Sequence, residues 1–212
     1  MAQSLFPSRS SDITASPRVL LTGFGPFPRV PENATATLVP AIAERARAEL
    51  PHCQIFYDVL PVEWVRGREV AARLIAEHEP DLILHFGVSD QAQGFVIETV
   101  ARKRCQCAAD AAGELPPLEL MELAATTMLP VSLPCDAILE ELRAMALPVE
   151  LSEDAGGYLC NAVLFNSLSD AHQGQHIGFI HVPDGLADGS ANLSMEQAIA
   201  GGVKIVSACL EN

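Results

Sequence analysis

The stretch Ser152-Glu-Asp-Ala-Gly-Gly-Tyr-Leu-Cys160-Asn-Ala-Val-Leu-Phe165 joins a short apolar strand to a helix through a glycine turn. Cys160 stands at the start of that helix, where the backbone N–H groups of the first turn lack partners and the helix dipole is positive. Both features favour a thiolate over a thiol, and the thiolate is the nucleophile in cysteine chemistry. The stretch therefore predicts a strand–turn–helix unit with a candidate nucleophile after the turn.

Strand and helix patterns alternate on both sides of this unit. Predicted strands cover residues 18–22, 54–60, 81–86, 149–151 and 177–182, and predicted helices cover residues 35–50, 63–77, 135–145, 159 onward and 195–210. This alternation predicts an α/β fold, a three-layer α/β/α sandwich with a largely parallel central sheet covered by helices on both faces. Residues 108–123 combine glycine, paired prolines and acids, and they are predicted to form an irregular exposed loop or lid.

The length of 212 residues suits one compact domain. Residues 17–212 are predicted to form it, and the polar, serine-rich residues 1–16 are predicted to be a flexible N-terminal extension. The opening lacks the apolar core of a secretory signal, and no later apolar run approaches the length of a membrane span. We therefore expect a protein without a membrane association.

The charge and the cysteine pattern argue against several kinds of partner and cofactor. Lys and Arg total 13 against 27 Asp and Glu, a net charge of -14, which argues against nucleic acid or an anionic membrane as partner. The six cysteines lack the spacing of a metal finger, and Cys105 and Cys107 have no second pair to complete a zinc site. Gly23-Phe-Gly25 begins like a dinucleotide fingerprint, but Pro28 replaces its third glycine. We expect a cytoplasmic protein with neither metal nor cofactor.

Three segments follow predicted strands and can meet at one edge of the sheet. They are residues 23–27, residues 154–160 and His181, which comes near the end of the apolar run Ile177-Gly-Phe-Ile-His-Val182. In an open α/β sheet, ligands bind in the crevice outside the carboxyl ends of the strands. Such a crevice would bring together a thiol, an imidazole and an aromatic wall, as a cysteine hydrolase requires.

A cysteine hydrolase also needs a group that orients the imidazole. Glu98 is the best candidate, because an acid within the apolar run 94–101 is costly unless it is paired, and His181 would be a suitable partner. Each residue has an ordinary structural alternative as well. Cys160 can be a small buried hydrophobe, His181 a strand-end histidine, and Glu98 an outward residue of a half-exposed strand.

Four motifs, in this order and spacing, carry a resemblance to a known family. They are Thr22-Gly-Phe-Gly-Pro-Phe27 with Asn33 after it, Gly87-Val-Ser89 with Glu98 beyond, Asp154-Ala-Gly-Gly-Tyr-Leu-Cys160, and Phe179-Ile-His-Val-Pro183. From about Val19 to the last helix the chain resembles the type I pyroglutamyl peptidases, which are cytosolic cysteine peptidases.

The resemblance implies a catalytic triad and a substrate pocket. The triad falls on Glu98, Cys160 and His181. The pocket for the lactam ring falls on Phe24, Phe27, Tyr158 and Leu159, and Asn33 resembles a substrate-binding motif residue near the reacting carbonyl. The implied activity is hydrolysis of the amide bond after an N-terminal pyroglutamyl residue of peptides, without metal or cofactor, by a homo-oligomer, a dimer or a tetramer.

Asn33 and the two phenylalanines have open alternatives on the residues alone. The Asn33 amide can donate to substrate or oxyanion, or it can satisfy the backbone of its own turn. Phe24 and Phe27 can simply belong to the core.

The chain also departs from the family pattern. Many bacterial members carry an arginine in the segment corresponding to residues 87–92, where this chain has Gly-Val-Ser-Asp-Gln-Ala, and the pairs Pro28-Arg29 and Asp184-Gly185 replace other residues next to their motifs. These changes motivate a second hypothesis. The chain would then be a diverged member that binds a cyclic amide, or acts on another lactam or acylamide, without pyroglutamyl peptidase activity.

Overall fold

The computed structural model of the protein describes residues 16–121 and 127–211. Nearly all of the predicted N-terminal extension, residues 1–15, lies outside the described residues. The strands are β1 Arg18–Phe24, β2 Gln54–Leu60, β3 Leu82–Ser89, β4 Phe95–Glu98, β5 Val100–Arg102, β6 Met128–Pro130, β7 Val149–Ser152 and β8 His176–Pro183. The helices are α1 Thr35–Glu49, α2 Arg66–His78, α3 Leu118–Met121, α4 Cys135–Ala144, α5 Leu159–Ser169 and α6 Met195–Leu210.

A six-stranded sheet in the order β2-β1-β3-β8-β4-β7 forms the centre of the protein. Strands β1, β2, β3 and β8 are mutually parallel, whereas β4 runs antiparallel to β8 and β7 runs parallel to β4. Helices α1, α4 and α6 pack on one face, and α2 and α5 pack on the other. The predicted α/β/α sandwich with a largely parallel sheet is therefore confirmed.

Alternating residues of each strand supply two separate apolar cores. On β1, Val19 and Leu21 face the α1/α6 side, while Leu20 and Phe24 face the α2/α5 side. A strand that is buried on both faces reads as a continuous apolar run, because neither face meets water. This is why the strand runs were evident in the sequence, whereas the two faces were not.

One premise of the sequence interpretation is wrong. We expected residues 154–160 to leave a strand of the parallel set, like the segments after β1 and within β8. Strand β7 instead runs opposite to β8, with β4 between them. The loop after β7 nevertheless returns to the cleft, and residues 154–158 line it before α5 begins.

Helix α2 begins at Arg66, three residues later than the pattern indicated. The backbone N–H of Trp64 donates to a side-chain oxygen of Asp110 at 2.9 Å, and the indole N–H donates to the Ala108 carbonyl at 2.9 Å. The chain before α2 is thus held by residues 108–110 as well as by the bond from the Gly67 N–H to the Glu63 carbonyl at 2.9 Å. Within the predicted loop 108–123, residues 118–121 form the short helix α3, and residues 122–126 lie outside the described residues.

No helix among residues 16–121 and 127–211 combines the length and the hydropathy that crossing a bilayer requires.

A short two-stranded ribbon, β5 with β6, extends from the sheet next to β4. Strand β6 of this ribbon was not predicted from the sequence, because Met128–Pro130 is only three residues long and half exposed.

Candidate active site

A cleft of about 720 Å³ opens beside α5, on the α2/α5 side of the sheet. The structure brings all eight predicted site residues to its wall: Phe24, Phe27, Asn33, Glu98, Tyr158, Leu159, Cys160 and His181. They arrive from β1 and the loop after it, from β4, from the start of α5 and from β8. The cleft therefore joins segments that are far apart in the sequence.

His181 and Glu98 form a buried ion pair across two strands. The imidazole Nδ1 lies 2.8 Å from Oε1 of Glu98, and the two side chains are on the same face of the antiparallel β4/β8 pair. The residues are 7% and 1% exposed, respectively. Because a carboxylate only accepts hydrogen bonds, Nδ1 carries the proton of this bond and leaves Nε2 for the other neighbour of the ring.

Cys160 is that neighbour. It is half-buried, lines the same cleft as the His181 ring, and raises the pKa of that ring. It is the second residue of α5, whose first intrahelical bond runs from the Ala162 N–H to the Tyr158 carbonyl. No side chain of the described residues caps this helix start, so its earlier N–H groups keep their donor capacity next to the sulfur.

Two opposing effects set the pKa of His181. Burial lowers the pKa of an imidazole, but the hydrogen bonds to Cys160 and Glu98 outweigh burial and raise the pKa of His181 from 6.5 to about 9. The imidazole is therefore held in its charged form at neutral pH. An imidazolium in this position stabilises a neighbouring thiolate.

The second carboxylate oxygen of Glu98 makes the carboxylate more dependent on its pairing with His181. Oε2 is buried and has no hydrogen-bond partner among the described residues. A buried carboxylate with one open oxygen depends on its remaining partner for charge compensation. In this cleft the charged His181 ring provides it.

Gly87 of β3 makes room for these groups. It pairs in register with His181, and a Cβ atom at this position would lie 2.7 Å from Cζ of Phe179 and 3.1 Å from the Cys160 sulfur. Only glycine allows the sulfur and the Phe179 ring to approach the strand this closely. The sequence analysis quoted Gly87 in a motif but missed this role, and a glycine inside an apolar strand was the available signal.

Aromatic side chains form the other end of the cleft. The Tyr158 ring lies 6.0 Å from Phe27 and 5.0 Å from Trp64 between ring centres, the second pair being edge to face. The Tyr158 hydroxyl donates to the Ala109 carbonyl at 3.1 Å. Phe24 is 3% exposed and packs near Phe179, so it is both a core residue and part of the wall. This end is apolar and fixed from several sides.

Asn33 uses most of its amide within its own loop. The side-chain oxygen accepts from the N–H and the hydroxyl of Thr35, at 3.1 and 2.8 Å, and the side-chain nitrogen donates to the Gly25 carbonyl at 3.1 Å. These bonds match the turn alternative and leave one N–H of the amide for another acceptor. Leu159 is buried at the base of the cleft and packs in the α2/α5 core.

Several further residues line the cleft without having been predicted as site residues. Gln106 contributes from the 105–114 loop, and its backbone N–H donates to the Gly157 carbonyl at 2.7 Å. Arg29, Ser89 and Ala92, which the sequence analysis named only as parts of motifs or of departures from the family pattern, also line it. Their motifs gave no signal, because a rim residue is defined by the fold around it and not by its local pattern.

Among residues 16–121 and 127–211, no three His, Cys, Asp or Glu side chains are grouped as a metal ion would require. All six cysteines are free thiols. Burial raises the pKa of Cys53, Cys105 and Cys135, and it raises the pKa of Cys209 to about 12. These four thiols are therefore protonated at neutral pH.

A half-buried thiol, an imidazole and a buried carboxylate in one cleft of an α/β sheet define the class of the cysteine peptidases. The comparisons specify the family within this class. The model of the pyroglutamyl peptidase family matches residues 17–209, and the chain belongs to this family.

Individual relatives agree along most of the chain. A pyrrolidone-carboxylate peptidase of Vibrio vulnificus is 30% identical over 203 residues, which cover 92% of this chain and 93% of the relative. One from Pyrococcus furiosus is 31% identical over 170 residues, 78% of this chain and 80% of the relative. The crystal structure of a mutant P. furiosus enzyme superimposes with a TM-score of 0.78 at 27% identity, covering 92% of this chain and 99% of that one.

Proposed function

We propose that the protein is a cysteine omega-peptidase that hydrolyses the amide bond after an N-terminal pyroglutamyl residue, with Cys160, His181 and Glu98 as its catalytic residues. The observation that carries the proposal is the position of the His181 ring, which lies 2.8 Å from Oε1 of Glu98 and shares the cleft with Cys160. Family membership supports the choice of substrate.

The first half of the reaction forms an acyl-enzyme. The Cys160 thiolate attacks the pyroglutamyl carbonyl carbon, and an S–C bond forms as the carbonyl electrons move to oxygen. When the tetrahedral intermediate collapses, the C–N bond breaks and the His181 imidazolium gives its proton to the leaving amine. Glu98 keeps the ring in the orientation and tautomer that this transfer requires.

The oxyanion needs donors that are already in place. The open N–H groups at the start of α5 are adjacent to the sulfur, and the helix dipole adds positive potential there. In the second half, the now neutral His181 takes a proton from water, the hydroxide attacks the thioester carbon, and the C–S bond breaks. Free pyroglutamate leaves, and the proton stays on the imidazole beside the regenerated thiolate.

The apolar end of the cleft suits the substrate. The pyroglutamyl group of a peptide is a small, flat, uncharged lactam, and Phe24, Phe27 and Tyr158 offer a wall of matching polarity. A free N-terminal ammonium would lose its hydration against the same wall without gaining a partner. We therefore assign these three residues, with Leu159 and Asn33, to binding of the pyroglutamyl group.

Cleavage of a pyroglutamyl fluorogenic amide, beside the matching prolyl compound, tests the proposal. The wild-type protein should release the fluorophore from the pyroglutamyl compound alone, and Cys160→Ala should lose this activity while its far-UV circular dichroism is unchanged. Cys107→Ser is the matched control, because Cys107 is an exposed thiol outside the cleft. Turnover that survives in Cys160→Ala would refute the proposal.

We also propose that residues 17–212 act as one domain, that the protein is cytoplasmic and binds neither nucleic acid nor membranes, and that it forms a dimer or a tetramer. Six free cysteines suit a reducing compartment, and a net charge of -14 repels polyanions. Analytical ultracentrifugation of the full chain and of a chain lacking residues 1–16 tests the assembly. Both should sediment as the same oligomer with equal kcat/KM.

A further inference from the structure

Asn161, the residue after the candidate nucleophile, is a buried polar side chain to which the proposed mechanism gives no task. It is 1% exposed, in the first turn of a helix whose other buried residues are mostly apolar. Its amide is fully engaged outside its own helix. The side-chain oxygen accepts from the Arg102 N–H at 2.8 Å, and the side-chain nitrogen donates to the carbonyls of Arg102 and Arg104 at 2.7 and 3.0 Å.

Only an amide meets these three groups. One backbone donor and two backbone acceptors require one acceptor and two donors on the side chain, and asparagine supplies both in its short planar head. A carboxylate would set negative oxygens against two carbonyls, and a hydroxyl has only one donor for the two carbonyls. The site is therefore specific for the residue that occupies it.

The partners of Asn161 belong to the chain segment that also carries Glu98. Strand β4 ends at Glu98, and the chain continues through Thr99 into β5, which ends at Arg102. Thr99 is fixed in turn, because its N–H and its hydroxyl both donate to the Ser152 carbonyl, at 2.7 and 2.8 Å. Only three residues thus separate Glu98, which is paired with His181, from Arg102, whose backbone is bonded to the helix of Cys160.

Further bonds between this segment and the loop before Cys160 are more exposed. Arg102 donates from its side chain to the Glu153 carbonyl at 3.0 Å, and Arg104 is paired with Asp154 at the surface. Exposed ion pairs contribute little, because water competes for both partners. The Asn161 bonds, in contrast, come from a buried side chain and act within the first turn of α5.

We propose that Asn161 is a positioning residue, which ties the start of α5 to the segment carrying Glu98 and so fixes the Cys160 sulfur opposite His181. This inference rests on the proposed function. A displacement of about 1 Å at reacting atoms can lower a rate by about a hundredfold. Loss of the tie should therefore act on the chemical step and not on substrate binding.

Asn161→Ala and Asn161→Asp test the proposal, with Asn166→Ala as the matched control. Asn166 lies on the same helix, is half-buried, and its side-chain amide donates to Asp170, its one side-chain partner among the described residues. All variants carry Cys107→Ser, so that iodoacetamide labelling reports on Cys160 against thiols whose pKa burial has raised. Three measurements are made: steady-state kinetics on the pyroglutamyl amide for kcat and KM, the labelling rate from pH 5 to 9, and the free energy of unfolding in urea.

For Asn161→Ala we expect kcat and the labelling rate at neutral pH to fall at least tenfold, with KM changed less than threefold. For Asn161→Asp the loss is larger, and the labelling curve moves to higher pH, because a carboxylate next to the sulfur disfavours the thiolate. Asn166→Ala should stay within twofold of wild type in all three measurements.

The proposal is overturned if folded Asn161→Ala keeps kcat and the labelling profile within twofold while only the free energy of unfolding falls. Failure of both Asn161 variants to fold would overturn it as well, since the residue would then serve the fold. Labelling needs no substrate. A wild-type protein that labels rapidly at Cys160 but leaves the pyroglutamyl amide uncut would therefore count against the proposed function and not against this inference.

Discussion

Gly87 and Cys160 meet at the floor of the cleft, where a Cβ atom on the glycine would come within 3.1 Å of the sulfur. The same atom would also contact the ring of Phe179 at 2.7 Å, and that ring in turn lies 4.7 Å from the His181 ring between centres. The strand, the sulfur and the imidazole are thus mutually in contact. A single added methyl group must disturb all three.

Gly87→Ala should therefore lower kcat/KM at least tenfold, because the methyl group displaces the Cys160 sulfur or rotates Phe179 against His181. Gly178→Ala is the matched control. Gly178 is a strand glycine of β8 that faces Leu133 on the opposite side of the sheet. Both variants should lose stability on urea unfolding, but Gly178→Ala should retain its kcat/KM once folded. Equal losses of kcat/KM in the two variants would contradict the role of Gly87.

Glu98→Gln should lower kcat about a hundredfold or more, because the amide keeps the shape of the side chain but not the charge that holds His181 as an imidazolium. KM should change little, since Glu98 is buried behind the histidine. Steady-state kinetics on the pyroglutamyl amide give both values. Glu140→Gln, an exposed acid on α4, should match wild type. A kcat of Glu98→Gln within threefold of wild type would remove Glu98 from the catalytic residues.

The same pair predicts a pH dependence of stability. The pKa of His181 is raised to about 9 in the folded protein, against 6.5 for an unfolded imidazole. The pair therefore contributes its full stability below about pH 6.5, and the contribution is lost as the pH rises towards 9. Urea unfolding at pH 6 and at pH 9.5 should show a larger difference between wild type and Glu98→Gln at the lower pH. A difference in the free energy of unfolding that grows with pH would contradict the raised pKa of His181.

His85 should make the protein sensitive to acid. Its ring is buried, with Nδ1 2.6 Å from the Thr22 hydroxyl and Nε2 3.1 Å from that of Ser167, and burial lowers its pKa from 6.5 to about 3. Because the unfolded ring binds a proton that the folded ring refuses, stability falls as the pH drops from 6.5, by about 1.4 kcal/mol per pH unit. His85→Gln should flatten the urea-unfolding profile between pH 6 and 4, whereas His52→Gln, on the surface, should not.

Substitution of Phe27 should mainly weaken substrate binding, whereas substitution of Phe24 should mainly lower the free energy of unfolding. Phe27→Ala removes a half-buried ring at the rim and should raise KM about tenfold with a small loss of stability. Phe24→Ala removes a ring that is 3% exposed and should cost about 3 to 5 kcal/mol on urea unfolding. Titration with pyroglutamate, followed by its protection of Cys160 from labelling, checks the first effect without turnover. Unchanged protection in Phe27→Ala would exclude this ring from the pocket.

The elements of the fold were largely predictable, because their signals are local. Strand β2 and helix α6 have the predicted bounds, and α5 begins at the predicted Leu159. The direction of β4 and β7 was not predictable, since a strand reads the same whichever way its neighbour runs. The start of α2 was missed for a similar reason, as the Trp64 N–H is taken by Asp110, a residue 46 positions away.

The candidate site was predictable where a residue conflicted with its surroundings. An acid in the apolar run 94–101 called for a partner, and the structure places Glu98 beside His181. Asn33 raised no such conflict, and only the bonds to Gly25 and Thr35 show how its amide is used. A glycine inside an apolar strand was a signal for Gly87, but the atoms that crowd it, like those that bond to Asn161, come from other strands and loops. Their roles therefore became clear only from the three-dimensional structure.

Strand β8 enters the middle of the sheet, between β3 and β4, although it is the last strand to be made. The thiol of Cys160 is therefore synthesised before the imidazole that we propose as its base, and β4 lacks its β8 neighbour until then. A chain truncated before His181 would hold the sulfur without that imidazole. The proposed peptide hydrolysis thus requires that β8 has filled the central gap of the sheet.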